Sequence, residues 1–332
     1  MANMMTNMRT LAAVLAVFLT ALAIGIGGSA AETYPSRIVK VIVPFPAGGV
    51  LDAITRSLTE RMPDKIGQPV IAENRGGAGG TVGLEACSKS APDGYTLCTA
   101  TIEQTSIRAS TEPDQFARYK DLMPITQLVS SQGVLFVNPA LGIHDLDGLI
   151  RLARERPGKL NYGSFGWGSA PQVVYEWLKA EKGIDIFHVP LKGAGDMMTE
   201  IVSGRIDAGF VTVGFAKPYV NAGKITPLAV VGRARSALLP AVPSLAELGF
   251  DCPYHDGWFA LMGPPGIHKP ALDKIVAAVR GVLGDADYKQ KFLDPLGYVP
   301  IGNSPQAFAA TLKDETARFA PLMKFVQSSR RY

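Results

Sequence analysis

Charge, cysteine and recognisable catalytic patterns are all scarce in this chain. Asp, Glu, Lys and Arg together make up 19% of the 332 residues, and the net charge is only +4. So slight an excess, with no clustered basic face, excludes nucleic acid as a partner and is compatible with attracting small anions. There is no G-x-x-x-x-G-K-[ST] and no H-E-x-x-H, and no glycine triplet obeys G-x-G-x-x-G, because Val82 stands where "GGAGGTVG" would need its third glycine. "YGSFG" has no glycine two residues before Ser164, so it is not a nucleophile elbow. The four histidines, His144, His188, His255 and His268, are scattered without metal-ligand spacing. These absences argue against an enzyme and imply no cofactor and no metal.

After residue 31 no apolar run is long enough to span a membrane. Before it lies one: Arg9, then the uncharged run Leu11 to Gly28, then Ser29-Ala30-Ala31. A basic start, an apolar middle and a small-residue exit make a secretory signal peptide over residues 1–31. An uncleaved anchor is the competing reading; the small-x-small exit favours cleavage after Ala30 or Ala31. No cysteine follows the run, which excludes a lipoprotein site. Export carries the three cysteines, Cys87, Cys98 and Cys252, into an oxidising compartment where at most one disulfide can form. Buried free thiols are the expectation.

With 47% hydrophobic residues, a chain of this length suits two domains. Apolar β-rich runs alternate with helical patterns, which predicts an α/β fold with mainly parallel sheets. "RIVKVIVPF" (37–45) reads as a buried strand, and Leu51, Ile54, Leu58 and Met62 then recur at helical spacing. The same grammar restarts after "PITQLVSSQGVLFVNP" (124–139), a stretch with turn residues in its middle that suits a crossing between lobes. The tail is helical and is expected to return to cover the first lobe. Lobe 1 is therefore expected over residues 32–130 plus 245–332 and lobe 2 over 131–244, with a ligand cleft between.

Two glycine loops each join a strand to the start of a helix. In "VPFPAGGVLD" (43–52), Ala47, Gly48 and Gly49 remove side-chain bulk where the unpaired amides of the next helix point outward. In "YGSFGWGS" (162–169), Ser164, Gly166, Gly168 and Ser169 do the same and add hydroxyls. Helix N-termini offer free N–H groups and a partial positive charge, so both loops suit a carboxylate. Tight turning alone also accounts for each glycine cluster. Asp52 caps or favours the first helical turn, or accepts from a ligand; Ser169 is a cap for the helix near Pro171 or a ligand donor.

Many short motifs in order, "PFPAGG" with Asp52, "GQPVIAENRGGAGGTVG", "APDGYTL", "DLMPITQLV", "FVNP", "PGKLNYGSFGWGS", "VPLKG", "GRIDAGF", "LAVVGRAR", "LPAVPSLAELG" and "GPPGIHKP", resemble the Bug family of extracytoplasmic solute receptors of tripartite tricarboxylate transporters. The resemblance implies a type II periplasmic binding protein fold that closes on a small organic carboxylate. It implies a periplasmic monomer that delivers solute to membrane permease subunits, or serves a sensor, without catalysis. It places Phe45 to Gly49 and Ser164 to Ser169 on the ligand's carboxylate, and Lys192 and Asp207 near the cleft, each with a hinge or salt-bridge role as its alternative.

Departures from the family pattern point to selectivity. Trp167 replaces a small polar residue, Gln172 a histidine, Leu191 the tyrosine of "VPYKG", and Gly76 a proline; Glu103, Gln104 and Arg108 enter a segment usually made of small hydroxyl residues. Trp167 either stacks on an aromatic ligand or packs on the cleft wall. Arg108 either grips a distal carboxylate in a two-pronged pair or faces solvent. Gln172 and the segment from Thr99 to Arg108, Thr101 included, are expected to select the remainder of the ligand. An aromatic carboxylate is preferred over a dicarboxylate on Trp167 and Leu191. The rival from another class is an exported hydrolase in which Ser164 or Ser169 meets a histidine.

Overall fold

The computed structural model describes residues 34–322. The predicted signal peptide lies outside them. Both sheets belong to one compact unit that begins at Arg37.

In the first sheet, strands β1 (Val39–Val43), β2 (Val70–Asn74), β3 (Thr96–Thr101), β4 (Met123–Ser131), β10 (Gly257–Gly263) and β11 (Val299–Pro300) lie in the order β11-β4-β10-β3-β1-β2. In the second, β5 (Gly133–Val137), β6 (Asn161–Ser164), β7 (Phe187–Pro190), β8 (Ala208–Thr212) and β9 (Thr226–Val231) lie in the order β7-β6-β8-β5-β9. The first β-strand, "VKVIV", buries every residue except half-buried Lys40, as a β-branched run between covering layers should.

The expectation of mainly parallel sheets needs correction. β1 pairs parallel with β2 and β3, and β6 with β7 and β8, but β10 runs antiparallel to β3 and β4, and β5 antiparallel to β8 and β9. The reason is connectivity. β5 follows β4 after the single residue Gln132, and β10 re-enters the first sheet after the second is complete, so each inserts against the local strand direction.

Helices cover these sheets: α1 (Val50–Arg61), α2 (Thr81–Ser88), α3 (Leu146–Glu155), α4 (Ala170–Lys182), α5 (Ala194–Val202), α6 (Val213–Asn221), α7 (Lys269–Leu283) and α8 (Pro305–Phe319). α3 is capped by Asp145, whose carboxylate accepts the Gly148 N–H at 2.6 Å, and it buries Leu146, Leu149, Ile150 and Ala153 at helical spacing. α4 is buried on every side from Ala170 to Leu178 and stops at Gly183, whose φ of 60° suits the left-handed C-terminal position. The tail helix α8 returns to the first sheet through buried Glu315, which accepts from Trp258 Nε1 at 3.0 Å and Ser106 Oγ at 2.9 Å.

The expectation of free thiols is overturned for two cysteines. Cys87 on α2 and Cys98 on β3 are both fully buried and form a disulfide with Cα atoms 6.0 Å apart, while Cys252 stays a buried free thiol. α2 packs on β3, so the two side chains meet across the helix–sheet interface. The closed loop is short, with a sequence separation of 11. Loop-closure entropy then sets its contribution at about 3 kcal/mol. Reduced protein, or the Cys87→Ala/Cys98→Ala variant, is expected to unfold in urea with a stability lower by about 2–3 kcal/mol, read from midpoint and slope together.

Candidate functional site

Both glycine loops leave the carboxyl ends of parallel strands, the first from β1 and the second from β6. β1 and β3 are parallel, so the loop leaving β1 and the turn leaving β3 at Thr101 emerge from the same edge of the first sheet. From that turn, the half-buried Glu103 carboxyl comes near Ala170, the first residue of α4: burial raises its pKa, while Thr101, its own backbone, the Arg108 charge and the Ala170 N–H oppose that rise. The C-terminal edge of the first sheet therefore faces the N-terminus of α4 in the second lobe.

In the first loop Phe45 is half-buried, Ala47, Gly48 and Gly49 are exposed, and Gly48 adopts φ 86°. Gly49 is the N-cap of α1 and offers no side chain, so Asp52 is not the cap. Asp52 is buried inside the loop, where it accepts Gly48 N–H at 2.9 Å, Arg56 Nε at 3.0 Å and Asn74 Nδ2 at 2.8 Å. Asn74 Nδ2 also reaches Phe45 O at 3.0 Å, which ties the end of β2 to the turn. Burial pushes the Asp52 pKa up, but the bonds from Arg56, Gly48 and Asn74 outweigh it and hold the carboxyl below its usual range. Asp52 thus fixes the loop, and the N–H groups of Val50, Leu51 and Asp52 are those α1 cannot pair within itself.

The second loop is self-bonded. Ser164 Oγ accepts Gly166 N–H at 3.0 Å, Ser169 Oγ accepts Phe165 N–H at 3.2 Å and donates to Gly166 O at 2.7 Å, and Gln172 Oε1 accepts Gly168 N–H at 2.7 Å. Ser169 is the N-cap residue of α4 but makes no capping bond, because its hydroxyl is engaged inside the loop. The serines and Gln172 thus hold the loop amides of Phe165, Gly166 and Gly168. Gln172 itself is fully buried, and its Nε2 has no hydrogen-bond partner among the described residues. Gly168, at φ 72°, lies against Thr111 of the first lobe: a Cβ there would sit 3.0 Å from Thr111 Oγ1.

Arg108 neither faces solvent nor offers two free prongs. It is buried, donating from Nη1 to Gly79 O at 2.8 Å and pairing through Nε with Glu112 at 3.1 Å. A Cβ at Gly79 would stand 2.5 Å from Arg108 Nη2 and one at Gly80 would stand 1.8 Å from Gln104 Nε2, which accounts for the glycines of "GGAGG". Thr101, buried at the end of β3, donates its backbone N–H to Gln104 Oε1 at 3.1 Å. Lys192 is exposed just beyond β7, on the rim of a depression of about 440 Å³ lined by Pro190, Leu191, Asp196, Thr199 and Glu200; neither glycine loop lines it. Asp207 is placed away from the loops. Its carboxylate accepts Asn161 N–H at 2.8 Å, at the start of β6, whereas Ser164 stands at the end of that strand.

Trp167 is half-buried and meets His188 edge-on, with ring centroids 5.5 Å apart. His188 also stacks on Tyr162 at 5.0 Å, and its Nε2 lies 2.6 Å from Ser164 Oγ. No motif marks this pair; the parallel register of β6 and β7, with Ser164 opposite Pro190 and Tyr162 opposite His188, creates it. Burial, and then the Lys179 charge, push the His188 pKa from 6.5 down to about 4.

The fold and this loop arrangement define a two-lobed solute-binding protein. The chain belongs to the family described as the tripartite tricarboxylate transporter family receptor, whose profile matches residues 54–327. Protein BugT of Bordetella pertussis is 31% identical over 323 residues, covering 96% of this chain and 98% of that one. Among solved structures, the periplasmic binding protein BugD superposes with a TM-score of 0.79 at 26% identity, covering 89% of this chain and 99% of that one. R. palustris Rpa4515, solved with adipate, gives 0.80 at 29% identity (89% and 98% covered), and MatC from Rhodopseudomonas palustris, with bound malate, gives 0.78 at 27% (87% and 100% covered).

Because an unfolded histidine takes its proton near pH 6.5 and His188 only near 4, the unfolded state binds more protons between those values. Stability is therefore expected to fall as pH drops from 6.5 to about 4, more steeply in the wild type than in His188→Gln. Urea unfolding at pH 7, 5.5 and 4.5 checks this, and parallel pH profiles would contradict it.

Proposed function

We propose that the mature chain is a periplasmic receptor that closes its lobes on a small organic carboxylate and delivers it to the membrane subunits of a tripartite tricarboxylate-type transporter. The observation that carries this reading is the pairing of donors across one space. The first turn of α1 presents amides that the helix leaves unpaired, behind an exposed glycine turn held by Asp52. Opposite, the first turn of α4 holds buried Gln172 with its unpartnered Nε2. Donors of that kind hold a carboxylate without a full positive charge. Family membership and the carboxylates bound by Rpa4515 and MatC support the same ligand class. The leader over residues 1–31 and the periplasmic description of BugD support the compartment.

Within that class, an aromatic carboxylate is the preferred ligand. Trp167 presents an indole beside the second loop, and Leu191 is apolar where the family pattern has tyrosine. Phe45 and Thr101 remain candidate wall residues of the same site, while Lys192 belongs to the separate depression and Arg108 and Asp207 are assigned structural bonds instead.

The Ser164–His188 contact is the one observation that favours an exported hydrolase. Three features weigh against it. Ser164 is fully buried, its hydroxyl already accepts the Gly166 amide, and the charged neighbour of His188 is the Lys179 cation rather than an orienting carboxylate. A base whose pKa lies at about 4 is also weakly matched to neutral pH. The receptor reading predicts no ester turnover that His188→Ala abolishes.

Thermal melting of mature protein with a panel of carboxylates tests the receptor reading. A ligand at a hundred times its Kd adds about 2.7 kcal/mol, which raises the melting temperature by about 4 °C. Gly48→Val places a branched side chain at φ 86° and is expected to weaken binding at least about tenfold. Unchanged affinity in this variant would make the first loop a turn and nothing more.

A further inference from the structure

His188 reaches the second glycine loop twice, once through a hydrogen bond and once through its ring. It is half-buried on β7, opposite Tyr162 in the parallel pairing with β6, and its Nε2 lies 2.6 Å from Ser164 Oγ at the end of β6. Ser164 Oγ also accepts Gly166 N–H at 3.0 Å and has Gly166 O at 3.3 Å. A hydroxyl has one proton to give. The separation from Gly166 O exceeds the usual O–H···O range of about 2.5–3.0 Å, which the contact with Nε2 meets. The proton therefore goes to Nε2, which accepts it, and the imidazole carries its own proton on Nδ1.

That bond acts on Gly166. The residue sits at φ 98° and is held at both ends: Ser164 takes its N–H, and Ser169 Oγ donates to its oxygen at 2.7 Å. Trp167 follows directly, so the orientation of Gly166 sets where the indole leaves the chain, and the indole meets the His188 ring edge-on at 5.5 Å. His188 in turn stacks on Tyr162 at 5.0 Å, and Tyr162 on Tyr175 of α4 at 4.5 Å, which gives the imidazole a rigid backing. The titratable groups around it are Tyr162 on β6 and Tyr175, Glu176 and Lys179 on α4. Glu176 accepts from Tyr162 at 2.7 Å and pairs with Lys179 at 3.1 Å, so this carboxylate is engaged elsewhere. Burial, and then the Lys179 charge, push the His188 pKa down to about 4, which keeps the ring neutral where an ordinary histidine titrates.

We infer that His188 is the positioning residue of the second loop: as a hydrogen-bond acceptor it orients Ser164 and through it the Gly166 amide, and with its ring it sets the Trp167 indole, so the wall offered to a ligand is ordered before the ligand arrives. The consequence for a ligand rests on the receptor reading above; the ordering of the loop does not. A wall ordered in advance costs the ligand little in side-chain and loop freedom. The Ser164–His188 contact thereby has a role in which no bond to carbon is made or broken.

NMR of the ligand-free protein tests the loop, and isothermal titration with benzoate tests the consequence, on wild type, His188→Gln and His188→Leu. Gln keeps an acceptor oxygen near the Nε2 position, and Leu keeps bulk alone. In wild type the ring nitrogens of His188 are expected to show the proton on Nδ1 and a bare Nε2, unchanged from pH 7.5 to 5.5. The opposite tautomer, or titration near pH 6.5, overturns the inference, and this arm needs no variant to fold. The Gly166 amide is expected to exchange at least about tenfold faster in His188→Leu, with the amides of β1 unchanged, and His188→Gln is expected to restore most of that protection. Equal Gly166 exchange in all three forms overturns it. Benzoate is expected to bind His188→Leu at least about tenfold more weakly than wild type, with His188→Gln between them. Equal affinities overturn the claim that the loop is ordered for a ligand. Failure of every folded form to bind benzoate overturns the aromatic-carboxylate reading instead, while the tautomer and exchange arms still decide the role of His188.

Discussion

Everything at the candidate site depends on where parallel strands deliver their helices. A strand that feeds a helix leaves that helix's first amides unpaired at the carboxyl edge of the sheet. β1 and β6 each do this, and Gly168, just before α4, packs on Thr111 of the segment that follows β3. Two helix N-termini directed at one small space make a place where an organic anion is stabilised by amides and dipoles. The remaining chain serves to hold those ends: the disulfide pins α2 to β3, and Glu315 draws the tail helix onto Trp258 and Ser106.

The two ends are built differently. At α1 the bracing comes from outside the turn, with Asp52 and Asn74 holding Gly48 N–H and Phe45 O, so the helix's own amides stay open. At α4 the loop's own side chains take its amides. A ligand entering this space therefore meets one open donor set and one whose loop amides are already engaged. That asymmetry orients it, carboxylate toward α1 and remainder toward Gln172 and Trp167.

Strand and helix positions were legible in the sequence because each buried strand is a short β-branched run stopped by glycine or proline and each helix repeats its apolar residues at 3.6 spacing. Strand direction was not legible. Nothing in "GWFALMG" or "GVLFV" distinguishes a parallel strand from one inserted antiparallel by a chain returning from another lobe. The glycine loops were visible as loops, but not that Ser164, Ser169 and Gln172 turn inward to hold their amides. Arg108 illustrates the same limit. An arginine in a polar segment reads as exposed or ligand-seeking, yet the bare glycines Gly79 and Gly80 thirty residues upstream make the room it occupies. The Cys87–Cys98 bond and the Ser164–His188 contact likewise exist only through helix–sheet packing and strand register.

The central claim is that a carboxylate lies between the first turns of α1 and α4. Two-dimensional amide NMR during titration with benzoate follows the backbone N–H groups of Val50, Leu51 and Asp52 together with the side-chain amide of Gln172. These resonances are expected to shift and saturate together, ahead of amides elsewhere in the protein. Shifts confined to the depression lined by Pro190, Leu191 and Glu200, with the α1 and Gln172 amides unmoved at saturation, would contradict the account.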